Sequence, residues 1–156
     1  MHAWELHPAL VHFPIAFLIA AVALDLYTAY YRDRPGLAPV ATGLLVTGTV
    51  TGILAAAAGL VAFYTVPAHT EEAHAFMLWH LGLNVAALAV FVGLCVARWP
   101  LRPPSELVRW LGVFAVGLLC FSSWIGGEIV YHGGAGIDPG ILSPQVVEGP
   151  QHHHEP

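Results

Sequence analysis

The sequence contains no lysine, and its only strongly basic side chains are five arginines. Charged residues make up 10% of the chain, whereas an average soluble domain carries about 25%. The formal net charge of -5 argues against a nucleic-acid partner, because phosphate binding requires clustered lysine and arginine. The chain therefore lacks the charged surface typical of a soluble or nucleic-acid-binding protein.

Cysteine is also scarce. Cys95 and Cys120 lie inside apolar runs and form neither a CxxC nor a CxxCH motif. Covalent haem attachment and thioredoxin-like chemistry are therefore not expected. We interpret both thiols as small buried apolar side chains.

Apolar sequence is what the chain has in abundance: it is 57% hydrophobic, with a mean hydropathy of +0.69. A transmembrane helix needs about 20 mostly apolar residues to cross about 30 Å of hydrocarbon. Because the linkers are short, neighbouring helices should be antiparallel. We predict an all-α fold, an antiparallel four-transmembrane-helix bundle in residues 1–137, followed by a polar extracytoplasmic tail at 138–156. The predicted spans are residues 8–30, 37–66, 74–97 and 107–131.

The arginines predict the orientation of the bundle. They lie in or beside the first and third loops, whereas the second loop and both termini contain none; the five are Arg32, Arg34, Arg98, Arg102 and Arg109. The positive-inside rule then places those two loops in the cytoplasm and both termini on the extracytoplasmic side. We expect a multi-pass protein of the cytoplasmic membrane of a bacterium or archaeon.

Histidines are numerous, and most of them belong to one end of the predicted bundle. The chain has ten, and none falls in the inner half of a predicted span. Those at or near the outer face are His2, His7, His12, His69, His74, His80 and His132. This clustering follows from the alternating direction of the helices alone. It therefore holds whichever end of the bundle faces the cytoplasm.

Helical spacing limits how these histidines could share a ligand. His7 and His12 are five residues apart, about 140° around a continuous helix, and His74 and His80 point to nearly opposite faces. A shared site must therefore draw ligands from different helices, as cofactor sites in helix bundles do. A bis-histidine haem takes one imidazole from each of two facing helices. Asn84 lies one turn from His80 on the same face and is predicted to belong to the same site.

Two carboxylates accompany the histidines. Glu128, at the outer end of the fourth span, is predicted to orient an imidazole, to exchange protons or to ligate a metal. Asp25, near the inner end of the first span, is interpreted as an interface residue or a hydrogen-bond partner between helices.

Small residues recur on the second span. They are expected to let helices pack closely, and the alternative is that they leave room for a flat cofactor. They are Gly48, Gly52, Ala56 and Gly59.

Three segments resemble the DUF2231 family of small four-helix membrane proteins. They are HPALVHFPIA at 7–16 with LDL at 24–26, LWH at 78–80 continuing to Asn84, and WIGGEIVY at 124–131; together the resemblance covers residues 7–137. The family's usual signature is Tyr-x-His-Gly, but here His132 directly follows Tyr131 and Gly133 occupies the expected place of the histidine.

Some members of that family are joined to, or encoded near, Rieske iron–sulfur domains. The resemblance therefore implies electron transfer and is compatible with a b-type cytochrome. The residues that it carries over are His7, His12, His80 and Glu128.

The leading hypothesis is a membrane electron-transfer protein that binds haem b near the outer face, as one haem or two. His12 and His80 are the predicted axial pair, and His7, His74 and His132 are predicted for a second haem or for contacts to its propionates. The chain is expected to be an electron carrier or a subunit of an oxidoreductase complex rather than an enzyme alone. Expected partners are other membrane or extracytoplasmic redox subunits, a quinol and the lipid bilayer.

Two alternatives remain open. His12, His80 and Glu128 could form a non-haem site for iron, copper or zinc, or the chain could be a structural or assembly subunit without a cofactor. All predicted cofactor ligands lie at one face of the membrane, and ligands at one face cannot relay electrons across about 30 Å of hydrocarbon. We therefore predict that electrons enter and leave on the outer side.

Overall fold

A computed structural model describes residues 2–31, 36–66, 71–99 and 103–137. Within these ranges the chain forms helices and turns and no strand, and four stretches are long and apolar enough to cross a membrane. This confirms the predicted all-α fold with four spans. After a 3-10 turn at Ala3–Glu5 the helices are α1 (Leu6–Leu10), α2 (His12–Tyr30), α3 (Leu37–Thr65), α4 (Glu71–Ala97) and α5 (Glu106–Tyr131). The predicted tail at 138–156 lies outside the described residues, as does His69.

The first span is divided at Val11, between α1 and α2. Pro14 has no backbone N–H to donate, and a proline ring crowds the carbonyl four residues earlier, here that of Leu10. The helix also begins at Leu6, two residues before its predicted start. The backbone nevertheless stays helical through Val11, whose N–H bonds the carbonyl of His7 and whose carbonyl accepts from Ile15. The angle of about 140° between His7 and His12 therefore still describes their relation.

The helices pack as two antiparallel hairpins, which we call the first hairpin (α1–α3) and the second hairpin (α4–α5). In the first hairpin, His7 lies against Gly59 at one end and Leu18 lies against Gly48 further along. A Cβ atom at Gly48 would stand only 2.8 Å from Cγ of Leu18, so this close approach requires glycine. The small residue at position 48 therefore serves helix packing.

Buried apolar side chains from both hairpins form the central core. A smaller cluster lies nearer the histidines and consists of Met77, Ile125, Ile129 and Ala135. Many large apolar side chains point outward instead, as expected of a surface that faces lipid tails; among them are Trp79, Trp99, Trp110 and Trp124. Cys120 is exposed on this outer surface, contrary to its interpretation as a buried side chain.

The two ends of the bundle differ in character. At the histidine end, α2 and α4 begin and α3 and α5 end; the opposite end is the arginine end. There, Asp25 of α2 forms a buried ion pair with Arg98, the residue that follows α4, and Arg98 also donates to Oγ1 of Thr42 at 3.4 Å. Asp25 thus joins the two hairpins, and Arg98 points into the bundle although the sequence placed it in a loop.

Candidate cofactor site at the histidine end

A cavity of about 660 Å³ lies between the hairpins at the histidine end. Its volume falls within the roughly 300–1,000 Å³ of typical cofactor pockets. The walls are mostly apolar, and core residues Leu18, Phe91 and Leu119 line its inner part. Four predicted site residues line the cavity: His7, His12, His80 and Asn84.

His7 is held by the facing helix α3. Its Nδ1 atom lies 2.8 Å from the carbonyl oxygen of Ala55. Because a carbonyl oxygen only accepts, Nδ1 must carry the proton, and in the neutral ring Nε2 then keeps its lone pair. The ring packs on Gly59, where a Cβ atom would stand 2.8 Å from the imidazole. Any side chain at position 59 would therefore displace the ring.

His80 is held by α5 in the same manner. Its Nδ1 lies 2.7 Å from the carbonyl oxygen of Ser122, so its Nε2 is also left with a lone pair. The ring packs on Gly126, where a Cβ atom would stand 3.0 Å from Cε1. Asn84 donates from Nδ2 to the backbone carbonyl of His80, in its own helix, at 2.9 Å.

The two tethered imidazoles lie close together. The centroids of the His7 and His80 rings are 6.1 Å apart, and the ring planes make an angle of 89°. The axial partner predicted for His80 from the sequence is His12 instead. The His12 side chain is exposed, although the residue contributes to the cavity wall.

The remaining predicted site residues lie elsewhere at the histidine end. Glu128 accepts through Oε2 from Nδ1 of His132 at 2.6 Å, and the ring of His74 lies 5.4 Å from that of Phe63. In the part of the chain that the structure describes, the cavity lining does not include His74, Glu128 or His132. Glu128 thus pairs with the imidazole of His132 at the surface.

Across the described ranges, no three histidine, cysteine or acidic side chains are grouped so that they could hold a metal ion. The set proposed for a non-haem metal, His12, His80 and Glu128, is therefore not assembled there.

The residues that hold the two rings are not predictable from the sequence. Ala55 and Ser122 contribute backbone carbonyls, which leave no signal in side-chain identity. Gly126 lies in the WIGGEIVY segment, where a glycine among large residues signals a close approach.

Four membrane-spanning helices around an apolar, histidine-lined cavity define the class as a polytopic helical-bundle membrane protein. Within it, the chain belongs to the DUF2231 family, described as a predicted membrane protein, which matches residues 3–139. This confirms the family resemblance. No curated protein and no solved structure matches the chain.

Proposed function

We propose that this chain is a membrane electron-transfer protein that binds one haem b in the cavity, with His7 and His80 as axial ligands. The observation that carries the proposal is the pair of imidazoles, each tethered through Nδ1 to a carbonyl of another helix. Metal-ligating histidines commonly donate their second ring N–H to a carbonyl, which fixes the tautomer and the ring orientation.

The separation of the rings supports a shared metal centre. Two imidazoles on opposite sides of one metal, each with a metal–nitrogen distance of about 2.0–2.1 Å, have centroids roughly 6 Å apart, because each nitrogen lies about 1 Å from its ring centre. The observed separation is 6.1 Å. The separation of the two ring centroids is therefore the one that a shared centre would require.

The cavity favours a porphyrin over a bare ion. A bare ion needs more ligands than two imidazoles supply, and no third ligand is grouped with them among the described residues. The lining includes small residues on two helices: Gly52, Ala56 and Gly59 on α3, and Gly126 and Gly127 on α5. Gly59 and Gly126 give room to the two imidazoles themselves. The apolar lining suits the macrocycle.

The axial pair defines the expected chemistry. Haem iron exchanges one electron at a time, and bis-histidine ligation leaves no axial position open for oxygen. His7 and His80 would hold the iron, and the apolar walls would exclude water from it. We therefore infer an electron carrier or a subunit of a redox complex. With the predicted orientation, its partners are extracytoplasmic or membrane redox subunits, or a quinol, on the outer side.

Haem content tests the proposal. Purified protein should give a pyridine haemochrome of haem b at about one per chain, with iron in equal amount. In intact spheroplasts, ferricyanide, which does not cross the membrane, should reoxidise the haem from outside. Zinc or copper without a porphyrin would support the non-haem alternative, and a folded, metal-free, colourless protein would support the structural-subunit alternative. Reoxidation only after the membrane is broken would contradict the predicted sidedness.

A further inference from the structure

The two tethered histidines are built by the same local arrangement. In the first hairpin, a histidine on the leading helix bonds the carbonyl of Ala55 and packs on Gly59, four residues later. In the second hairpin, His80 bonds the carbonyl of Ser122 and packs on Gly126, again four residues later. Each hairpin thus contributes one half-site made of a histidine, a carbonyl and a glycine.

The repeat extends through the bundle. A position on α1 or α2 corresponds to the position 73 residues later on α4, as His7 does to His80. A position on α3 corresponds to the position 67 residues later on α5, as Ala55 does to Ser122. Buried residues of α2 correspond to buried residues of or just after α4: Leu18 to Phe91, Ala21 to Leu94, and Asp25 to Arg98. The hairpins are therefore related by an approximate two-fold axis along the bundle, as in parallel repeats of other membrane proteins.

Equivalent residues meet across this axis at both ends. His7 and His80 are neighbours at the histidine end, and Asp25 and Arg98 pair at the arginine end. The axis therefore passes between the two imidazoles.

The half-sites differ in one hydroxyl group beside the imidazole. Ser122 stands where the first hairpin has Ala55. Its Oγ donates to the backbone carbonyl of His80 at 3.2 Å and lies 3.2 Å from Nδ1 of the same residue. Because the hydroxyl proton points to the carbonyl, an Oγ lone pair faces Nδ1–H. His80 therefore has two acceptors for this proton, whereas His7 has one among the described residues, the carbonyl of Ala55.

We infer that the ligand site consists of two similar half-sites that hold one centre on the two-fold axis. We also infer that Ser122 is a positioning residue that makes His80 the stronger electron donor. A second acceptor draws the Nδ1 proton away from the ring and raises the basicity of Nε2. A more basic ligand stabilises the higher oxidation state of a bound metal. The hydroxyl of Ser122 thus lowers the reduction potential of the centre. This last step rests on the proposed function, but the hydrogen-bond asymmetry does not.

Nitrogen NMR tests the half-sites whether or not haem is bound. In reduced protein labelled with ¹⁵N-histidine, both rings should carry a proton on Nδ1, with signals assigned from His7→Gln and His80→Gln. Ser122→Ala should shift the Nδ1 signal of His80 and leave that of His7 in place, and Ala55→Ser should do the reverse. A proton on Nε2 of either ring, or a Ser122→Ala spectrum unchanged at His80, would overturn the inference.

Reduction potentials test the consequence in the haem-loaded protein. Ser122→Ala should raise the midpoint potential, Ala55→Ser should lower it, and Ser122→Thr, which keeps the hydroxyl, should retain the wild-type value. Thr51→Ala is the control, because that hydroxyl bonds only carbonyls of its own helix. Equal shifts in Ser122→Ala and Ser122→Thr, or none in either, would refute the tuning role. A wild-type protein without haem would refute the proposed function and leave the NMR result to decide on the half-sites.

Discussion

Asp25 and Arg98 are the most deeply buried charged pair that the structure describes, at 6% and 2% exposure. Their pairing is incomplete, since Oδ1 of Asp25 and Nε of Arg98 have no hydrogen-bond partner. Charges at this depth in a bundle are tolerated only because they neutralise each other. The pair contributes to the docking of the two hairpins, and each partner depends on the other.

We predict that Asp25→Asn destabilises the bundle by about 3–5 kcal/mol, because it leaves the Arg98 guanidinium buried without a counter-charge. The double variant Asp25→Leu with Arg98→Met removes both charges and should lie much closer to wild type. Thermal unfolding in detergent measures both. A double variant as unstable as Asp25→Asn would show that apolar packing cannot replace the pair.

The contact between Arg98 and Asp25 was not predictable from the sequence. Arg98 was assigned to a loop because it follows the apolar run, and the helix boundary at Ala97 agrees with that. Its long side chain nevertheless turns back into the bundle and reaches Asp25. The sequence does show an acid inside the first span, Asp25, and an arginine at the end of the third, Arg98. Spacing along one helix, however, does not predict contacts between two helices.

At the scale of the helices, two glycines determine whether the imidazoles can occupy their places. Gly59 and Gly126 lie directly under the rings of His7 and His80. By contrast, a Cβ atom at Gly82 of α4 would meet no atom within 4 Å. The same substitution therefore has opposite consequences at these positions.

We predict that Gly59→Ala displaces the His7 ring and loses most of the bound haem. Gly126→Ala, where the new Cβ would stand 3.0 Å from Cε1 of His80, should shift that ring by a few tenths of an ångström and lose less haem. Gly82→Ala should retain the haem and gain up to about 1 kcal/mol of stability, the usual advantage of alanine over glycine inside a helix. Haem per chain and thermal unfolding in detergent are the two measurements. Full haem content in Gly59→Ala would mean that the His7 ring does not need the space above this glycine.

Helix boundaries were predictable because they follow from hydropathy and from proline, glycine and charge at the joins. The predicted spans 37–66, 74–97 and 107–131 lie within three residues of α3, α4 and α5 at each end. The span predicted at 8–30 starts two residues after α1 does and ends with α2. The rotation of each helix about its axis was not predictable, because apolar residues surround all four spans and no polar face marks the inside. The rotation of the first span also decides that His7, and not His12, lies beside His80.

At the scale of the whole molecule, the sequence located the histidine end but not the symmetry of the site. Segments 6–25 and 79–98 share few identical residues beyond His7 with His80 and Leu10 with Leu83, so the repeat is hidden at the level of sequence. It emerges from matched carbonyls, glycines and buried positions. The repeat explains why the cavity has two similar walls and one tethered imidazole on each.

Spin state in single histidine variants tests the central claim most directly. Optical and electron paramagnetic resonance spectra of the wild-type protein should show a low-spin, six-coordinate haem. His7→Ala and His80→Ala should each lose the low-spin signal or the haem, whereas His2→Ala, a histidine at the same end outside the cavity lining, should retain the wild-type spectrum. Retention of the low-spin signal in His7→Ala, with its loss in His12→Ala, would contradict the account and restore the axial pair predicted from the sequence.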